Sequence, residues 1–194
     1  LELDVRPNEK LYFSKRHASF FFDVLKSPAC LHPYFAQPGI TVCELTSGGA
    51  LTTESIRSMI EDDSGEEICN SLVLFPVHVV WPMGFSWSSA VGQSCSIGCC
   101  LRAGIAEESI MSLEHPAPAQ QQQLAFVATD DVLLISRDPL EGQVTLDKLD
   151  AAAGMPGNRS KDVTLNSSIV GLGCELTSQP AVCEPAMRRS NSSM

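Results

Sequence analysis

The stretch AFVATDDVLLISRD, residues 125–138, sets two carboxylates side by side, Asp130 and Asp131, between two apolar runs at 124–128 and 132–135. Adjacent carboxylates repel. In a partly desolvated place one of them protonates unless a cation neutralises the pair. Two chemistries fit. In one, the pair is a turn, because an Asp side chain accepts hydrogen bonds from nearby backbone N–H groups. In the other, it is a hard oxygen-ligand site of the kind that holds Mg2+ with one or two carboxylates and substrate phosphates. The pair alone does not choose between them.

Positioning such a pair requires strands on either side, and the two apolar runs read as strands of a hairpin. Upstream, 9–16 reads as a strand and 18–26 as a helix ending before Pro28. The segment 38–46 reads as a short strand. The segment 52–63 reads as an amphipathic helix capped by Thr52 or Thr53. Residues 70–85 read as extended chain broken by Pro76 and Pro82. The strongest helix signal is 86–105, where Trp87, Val91, Cys95, Gly98, Leu101 and Ile105 recur at helical spacing. Ser88, Ser89, Ala90, Gly92 and Ser94 on the same segment are small enough to admit a close neighbour. HPAPAQQQQ at 115–123 reads as a polar loop. Residues 142–154 read as a helix with Leu146, Leu149 and Ala153 inward and Gly154 as its stop. Residues 166–177 read as a last strand. Strands and helices mix without strict alternation, which points to the α+β class.

The chain of 194 residues is 44% hydrophobic and 19% charged, enough for one domain with a sizeable core. No apolar run reaches the roughly 18 residues that span a bilayer, and the start lacks a signal-peptide pattern. These readings give the expectation of no membrane partner and an intracellular protein, cytoplasmic or nuclear. Eight cysteines show no C-x-x-C pair and no zinc spacing, so a reducing compartment is expected. A thiol or metal enzyme built on His78, His17 and a cysteine finds no supporting spacing. The formal charge of −10 argues against a free-standing nucleic-acid binder, because phosphate contacts need Lys and Arg.

Three stretches together resemble the palm of retroelement-type reverse transcriptases. WPMGFSWSSAVGQ at 81–93 resembles the motif L-P-x-G-x-x-x-S-P, with Pro82, Gly84 and Ser88 matching and Ser89 in place of the last proline. ATDDVLL at 128–134 resembles the Y-x-D-D hairpin, with Ala128 in place of the tyrosine. GNRSKDVT at 157–164 resembles the lysine-bearing segment that follows, and IVGLGCEL at 169–176 the strand after it. The resemblance implies a ferredoxin-like antiparallel sheet backed by helices near 18–26 or 52–63 and 86–105. It also implies RNA-directed DNA polymerase chemistry, in which two metal ions clamp the attacking and leaving oxygens. Asp130 and Asp131 would be catalytic carboxylates and ligands of Mg2+ or Mn2+. Lys161 would serve the pyrophosphate leaving group. Phe22, Pro82, Gly84, Ser88 and Gln93 would lie on the nucleotide and template side.

The same family needs a further Asp on the first palm strand, five residues before the aromatic that screens the sugar. In YFSKRHASFFFD, 12–23, Phe22 takes the screening position and His17 stands where the Asp belongs. Imidazole suits Zn2+ better than Mg2+ and brings no negative charge. Asp23 lies six residues on, roughly 20 Å along a strand or about 240° around a helix, and does not substitute. Asp4 is too far upstream. The resulting expectation is a degenerate, inactive palm at 10–177, between an N-terminal extension at 1–9 and a flexible tail at 178–194, with fingers and thumb largely missing. Nucleic acid and dNTP are partners of the ancestral function and bind this acidic chain weakly, as does the metal. The chain also reads as a piece of something longer. The alternative is a soluble non-catalytic interaction or scaffold protein in which Asp130-Asp131 is only a turn.

Overall fold

The computed structural model describes residues 5–6, 8–19, 21–60, 65, 67–112, 121–154 and 157–186. In chain order it runs β1 (Tyr12–His17), α1 (Phe21–Val24), a 3-10 segment Ala29–Phe35, β2 (Ile40–Thr41), α2 (Val42–Ser47), α3 (Thr53–Met59) and β3 (Val73–Leu74). It continues with α4 (Ser88–Arg102), a 3-10 turn Glu107–Ser109, β4 (Gln123–Ala128), β5 (Asp131–Ser136) and α5 (Pro139–Ala153). The last elements are β6 (Val163–Asn166), β7 (Ser168–Gly171), β8 (Cys174–Ser178) and β9 (Ala181–Pro185). The class is α+β with antiparallel sheets, as expected. The chain divides into two units, Leu25–Pro82 and the residues on either side of it. The stretch 10–177 read as one domain therefore carries an inserted unit.

In the larger unit, a four-stranded sheet has the order β4-β5-β1-β6 with every neighbouring pair antiparallel. The central strand β5 carries Val132, Leu133, Leu134 and Ile135, all buried. Successive strand side chains point to opposite faces, so this continuous apolar run marks a strand covered on both sides. On one face Val132 and Leu134 pack with Cys99, Cys100 and Ala103 of the α4 end and with Leu146 and Leu149 of α5. On the other, Leu133 and Ile135 pack with Phe13, Leu124 and Ile169, and with Leu176 at the margin. The three-stranded sheet β7-β8-β9 supplies that second cover. The helices backing the sheet are thus α4 and α5, in place of the 18–26 or 52–63 segments expected beside 86–105.

Helix α5 follows its sequence signals closely. Asp138 caps it by accepting from the Leu140 amide, Pro139 opens it, and Gly154 ends it at φ 61. Leu146 and Leu149 are buried as read, and Ala153 is half-buried. Helix α4 is correctly placed but rotated. Its buried residues are Ser88, Gly92, Ser96, Cys99 and Cys100, whereas Trp87 and Leu101 of the expected face are exposed. Close approach selected the face: a Cβ at Gly92 would stand 2.6 Å from Phe21 Cε1 and 3.2 Å from Thr129 Cγ2.

Other readings change as well. The 18–26 helix is the short α1. The 166–177 strand is a hairpin, β7 and β8, folded at Leu172 (φ 52) and Gly173 (φ 80). Ala181–Pro185, inside the stretch read as a tail, pairs with β8. Residues 115–120 of the polar loop, 61–63 of the 52–63 helix, Asp4 and the last residues from 187 lie outside the described residues. No helix among the described residues is long and apolar enough to cross a membrane.

In the unit Leu25–Pro82, the segment read as a strand at 38–46 keeps only β2, which pairs antiparallel with β3. Helix α2 takes over because Thr41 and Glu44 form a capping box. Helix α3 is capped by Thr52, as read. Phe35, Val42 and Ile56 are buried, and the Phe35 ring lies 6.1 Å from that of Trp81.

The larger unit is also tied by charge. Glu9 pairs with Arg137 just beyond β5 and accepts from the Arg6 backbone N–H. The hydrogen bond from Arg137, followed by that backbone bond, holds the Glu9 carboxyl below its ordinary value of 4.5. A lowered folded-state value contributes stability above the unfolded value and loses it as pH falls through the folded one. We predict that Glu9→Gln lowers the denaturation midpoint at neutral pH. The parent and the variant converge as the pH falls from 4.5 through the lowered folded-state value, which denaturant titrations across pH will check.

Candidate functional site

The carboxylate pair lies where three elements meet. Ala128 and Asp131 are register partners, so Thr129 and Asp130 form the turn between β4 and β5, and Asp131 is the first residue of β5. Strand β1 runs beside β5 and ends with His17 opposite Asp131. The turn is strained: Thr129 is β-branched and stands at φ 53, a region such residues avoid. Helix α4 holds it there. The Gln93 side-chain amide donates to the Val127 carbonyl at 2.8 Å, and its oxygen accepts from the Thr129 amide at 2.7 Å. The Ser96 hydroxyl donates to the Thr129 carbonyl. From the other side, the Ala18 amide donates to the Asp130 carbonyl at 3.0 Å.

Strand periodicity places Lys15 and His17 on one face of β1. Both reach Asp131. The Lys15 ammonium stands 3.0 Å from Oδ2, and His17 Nδ1 stands 2.8 Å from Oδ1 and 3.4 Å from Asp130 Oδ2. The Lys15 and Asp131 side chains are only 17% and 21% exposed, so solvent screening of this pair is limited. A carboxylate accepts, so Nδ1 carries the hydrogen, a tautomer fixed by the network. The Lys161 ammonium, 3.3 Å away, then donates to Nε2. A continuous chain results: Lys161 to His17, His17 to Asp131, Lys15 to Asp131.

The segment after α5 closes over this chain. Gly157 bridges Ala18, the Asn158 amide donates to the His17 carbonyl at 2.8 Å, and the His17 amide donates to Asp162 Oδ1 at 3.0 Å. On the opposite face of β1, Arg16 forks onto Asp150 of α5, with Nε 2.8 Å from Oδ1 and Nη2 3.3 Å from Oδ2. Between α4, α5 and this segment lies a cleft of about 240 Å³ bordered by Arg16, His17, Asp130, Asp150, Arg159 and Asp162.

The donor set fits a resident metal poorly. Both oxygens of Asp131 already accept from cations or N–H groups, and the His17 nitrogen nearest the pair carries a hydrogen instead of offering a lone pair. Asp130 is 38% exposed, and its Oδ2 meets His17 Nδ1 only at 3.4 Å. Among the described residues, no group of three or more His, Cys, Asp or Glu side chains is arranged to hold a metal ion.

The residues singled out in the sequence therefore separate. His17, Asp130, Asp131 and Lys161 come together, and Gln93 reaches their hairpin with both ends of its amide engaged by backbone. Phe22 lies half-buried on α1, its ring edge-on to Phe21 at 5.3 Å. Gly84 is exposed at φ 94 in the segment before α4, with open space where a Cβ would point. Ser88 opens α4 and is buried. Pro82 ends the other unit. Lys15 went unnoticed, although it sits two residues before His17 on an expected strand, which by period two puts both on one face. Asp162 lay inside the GNRSKDVT motif but carried no signal separate from the lysine.

No protein-family model matches the chain, and no curated protein does. Among solved structures, the chain is similar to telomerase from Candida albicans in complex with a TWJ fragment of telomeric RNA. That match has a TM-score of 0.46 and 18% identity, covering 91% of this chain and 30% of the other. It is also similar to apo telomerase from Candida tropicalis truncated from its C-terminal domain. Here the TM-score is 0.42 and the identity 16%, over 94% of this chain and 36% of the other. The chain thus spans about a third of the length of these proteins.

The clamp from α4 generates a prediction. Gln93→Ala leaves the Thr129 amide and the Val127 carbonyl without their partner, a loss of roughly 1–3 kcal/mol for half-buried groups. Hydrogen exchange should show the Thr129 amide losing protection selectively, while the amides of Leu133 and Leu134 exchange only as fast as the global loss of stability requires.

Proposed function

We propose that the chain is a reverse-transcriptase-like palm, of RNA-directed DNA polymerase lineage, that does not carry out nucleotidyl transfer. The observation that carries this reading is the occupancy of Asp131: His17 Nδ1 at 2.8 Å on one oxygen and Lys15 Nζ at 3.0 Å on the other. In a working palm those oxygens face divalent ions that neutralise transition-state charge. Here two side chains provide the positive charge and the hydrogen-bond donor, and the strand position that should supply a further carboxylate supplies the imidazole. Two features of the scaffold support the lineage. The four-stranded sheet of the larger unit and the two helices backing it run β1, α4, β4, β5, α5, β6, and their sheet order is that of a ferredoxin-like split βαβ arrangement. The two aspartates stand at a hairpin beside the strand bearing His17.

On this reading Mg2+ or Mn2+ binds weakly, through Asp130 more than Asp131, with water in most ligand positions. Lys161 orders the His17 ring instead of meeting a leaving group. Primer–template and dNTP, partners of the ancestral activity, bind poorly to a chain with a formal charge of −10. The alternative, a non-catalytic interaction protein with an Asp-Asp turn, shares the same geometry: Thr129 and Asp130 are the turn, and its strain is held by Gln93 and Ser96.

The test is a graft. Residues 10–176 are placed between the fingers and thumb of an active reverse transcriptase, and primer extension is compared for the parent, His17→Asp and Lys15→Ala/His17→Asp. We predict no extension by the parent and recovery only in the double variant, because an added carboxylate meets Lys15 still bound to Asp131. Losing one well-placed electrostatic group commonly costs about 10²–10³ in rate. Robust extension by the parent graft would contradict the reading.

A further inference from the structure

From Ile68 to Leu101 the chain carries no Asp, Glu, Lys or Arg, although its formal charge is −10. Part of this stretch is strand β3 with the residues that continue it to His78. They lie in the unit Leu25–Pro82, which holds neither Asp130 nor Asp131.

One edge of this segment is paired. The Leu72 carbonyl accepts from the Val42 amide at 3.0 Å and the Pro76 carbonyl from the Gln37 amide at 2.7 Å, and the His78 amide donates to the Phe35 carbonyl at 3.4 Å. Along an extended chain the N–H and C=O groups of alternate residues face alternate sides. Those of Val73, Phe75 and Val77 therefore face the other edge. Among the described residues that edge has no strand on it, because β3 pairs with β2 in a two-stranded sheet. The three side chains share one face, and all are exposed, Phe75 to 64%. Val73 and Phe75 lie across Gly39, where a Cβ would stand 2.7 Å from Val73 Cγ1 and 3.0 Å from Phe75 Cε1. Open edges are commonly guarded by charged side chains or by proline. Here the segment is uncharged, and Pro76 has its missing N–H on the paired side, so the outward donors of Val73, Phe75 and Val77 are intact.

We propose that this edge joins two copies of the chain through an antiparallel β3–β3 ladder with its two-fold axis at Phe75. The register sets Phe75 against Phe75 of the second copy, and Val73 against Val77 of the second copy. It makes roughly six ladder hydrogen bonds and merges the two exposed apolar faces into one. A second copy is the fitting occupant because the edge is self-complementary, the same three apolar residues meeting in reverse order. It is also a place where two chains of formal charge −10 meet without opposing carboxylates. A foreign strand would find no charge on the edge by which to be selected. Such an isologous contact uses the same edge of both copies and closes at a dimer. The inference does not depend on the palm reading.

The test is sedimentation equilibrium of the whole chain over a range of concentrations, in a reducing dithiol so that no cysteine bridge contributes. A reversible monomer–dimer equilibrium is expected. In Val73→Lys/Val77→Lys, like charges oppose each other at both ends of the ladder, and the dissociation constant should rise by more than about tenfold. In Val73→Lys/Val77→Glu, each lysine faces a glutamate of the second copy, and dimerisation should recover. Recovery of this kind belongs to the antiparallel register, since a parallel pairing would set lysine against lysine. Both variants should keep the far-ultraviolet circular dichroism of the parent, because the replaced side chains are exposed. A parent chain that stays monomeric at every concentration would overturn the inference. So would a dimer that the Lys/Lys variant leaves intact, or a Lys/Glu variant that dimerises no better than Lys/Lys.

Discussion

Asp131 accepts from the Lys15 ammonium and from the His17 imidazole at the same time, and much of the larger unit is arranged so that it can. A carboxylate at the end of a strand buried on both faces needs compensation, since burying an unpaired charge is costly. Compensation from β1 requires the β1–β5 register to place His17 opposite Asp131, with Lys15 two residues back on the same face. That register is fixed by the side chains of β1: a slip of one residue would turn Phe13 away from Leu133 and Ile135 and bring the polar Ser14 to their face. Core packing and site geometry are therefore one constraint viewed from two sides.

The hairpin adds a second condition. Thr129 at positive φ stores strain that the turn alone does not relieve. Helix α4 over-determines it through Gln93 and Ser96. The helix comes close enough only because Gly92 has no side chain to meet Phe21 and Thr129. The small-residue face of α4 and the sharp Asp-bearing turn are thus mutually required. This explains why a helix carrying Trp87 and Leu101 exposes both and buries serines and glycine instead.

That reversal shows where the sequence was legible. The hairpin, α5 with its Asp138 cap and Gly154 stop, and the Thr52 cap of α3 follow from local signals, and local chemistry decided them in the structure. The gathering of His17 with Asp130, Asp131 and Lys161 was readable through motif spacing. The buried face of α4 was not, because apolar periodicity ranks side chains by hydrophobicity and this interface is governed by how near two backbones come. Helix α2 was obscured by the β-branched Thr41 and Val42, although the Thr41–Glu44 capping box was present. Lys15 was missed because a lysine on a strand reads as a solvated charge until its cross-strand neighbour is known.

The central claim is that side chains, not divalent ions, neutralise Asp131. Crystals of the chain soaked in Mn2+ and measured at the manganese absorption edge test it most directly. The account predicts no anomalous peak within coordination distance of either Asp131 oxygen, with Lys15 and His17 still against them. A peak bridging Asp130 and Asp131, with the Lys15 side chain swung away, would contradict it.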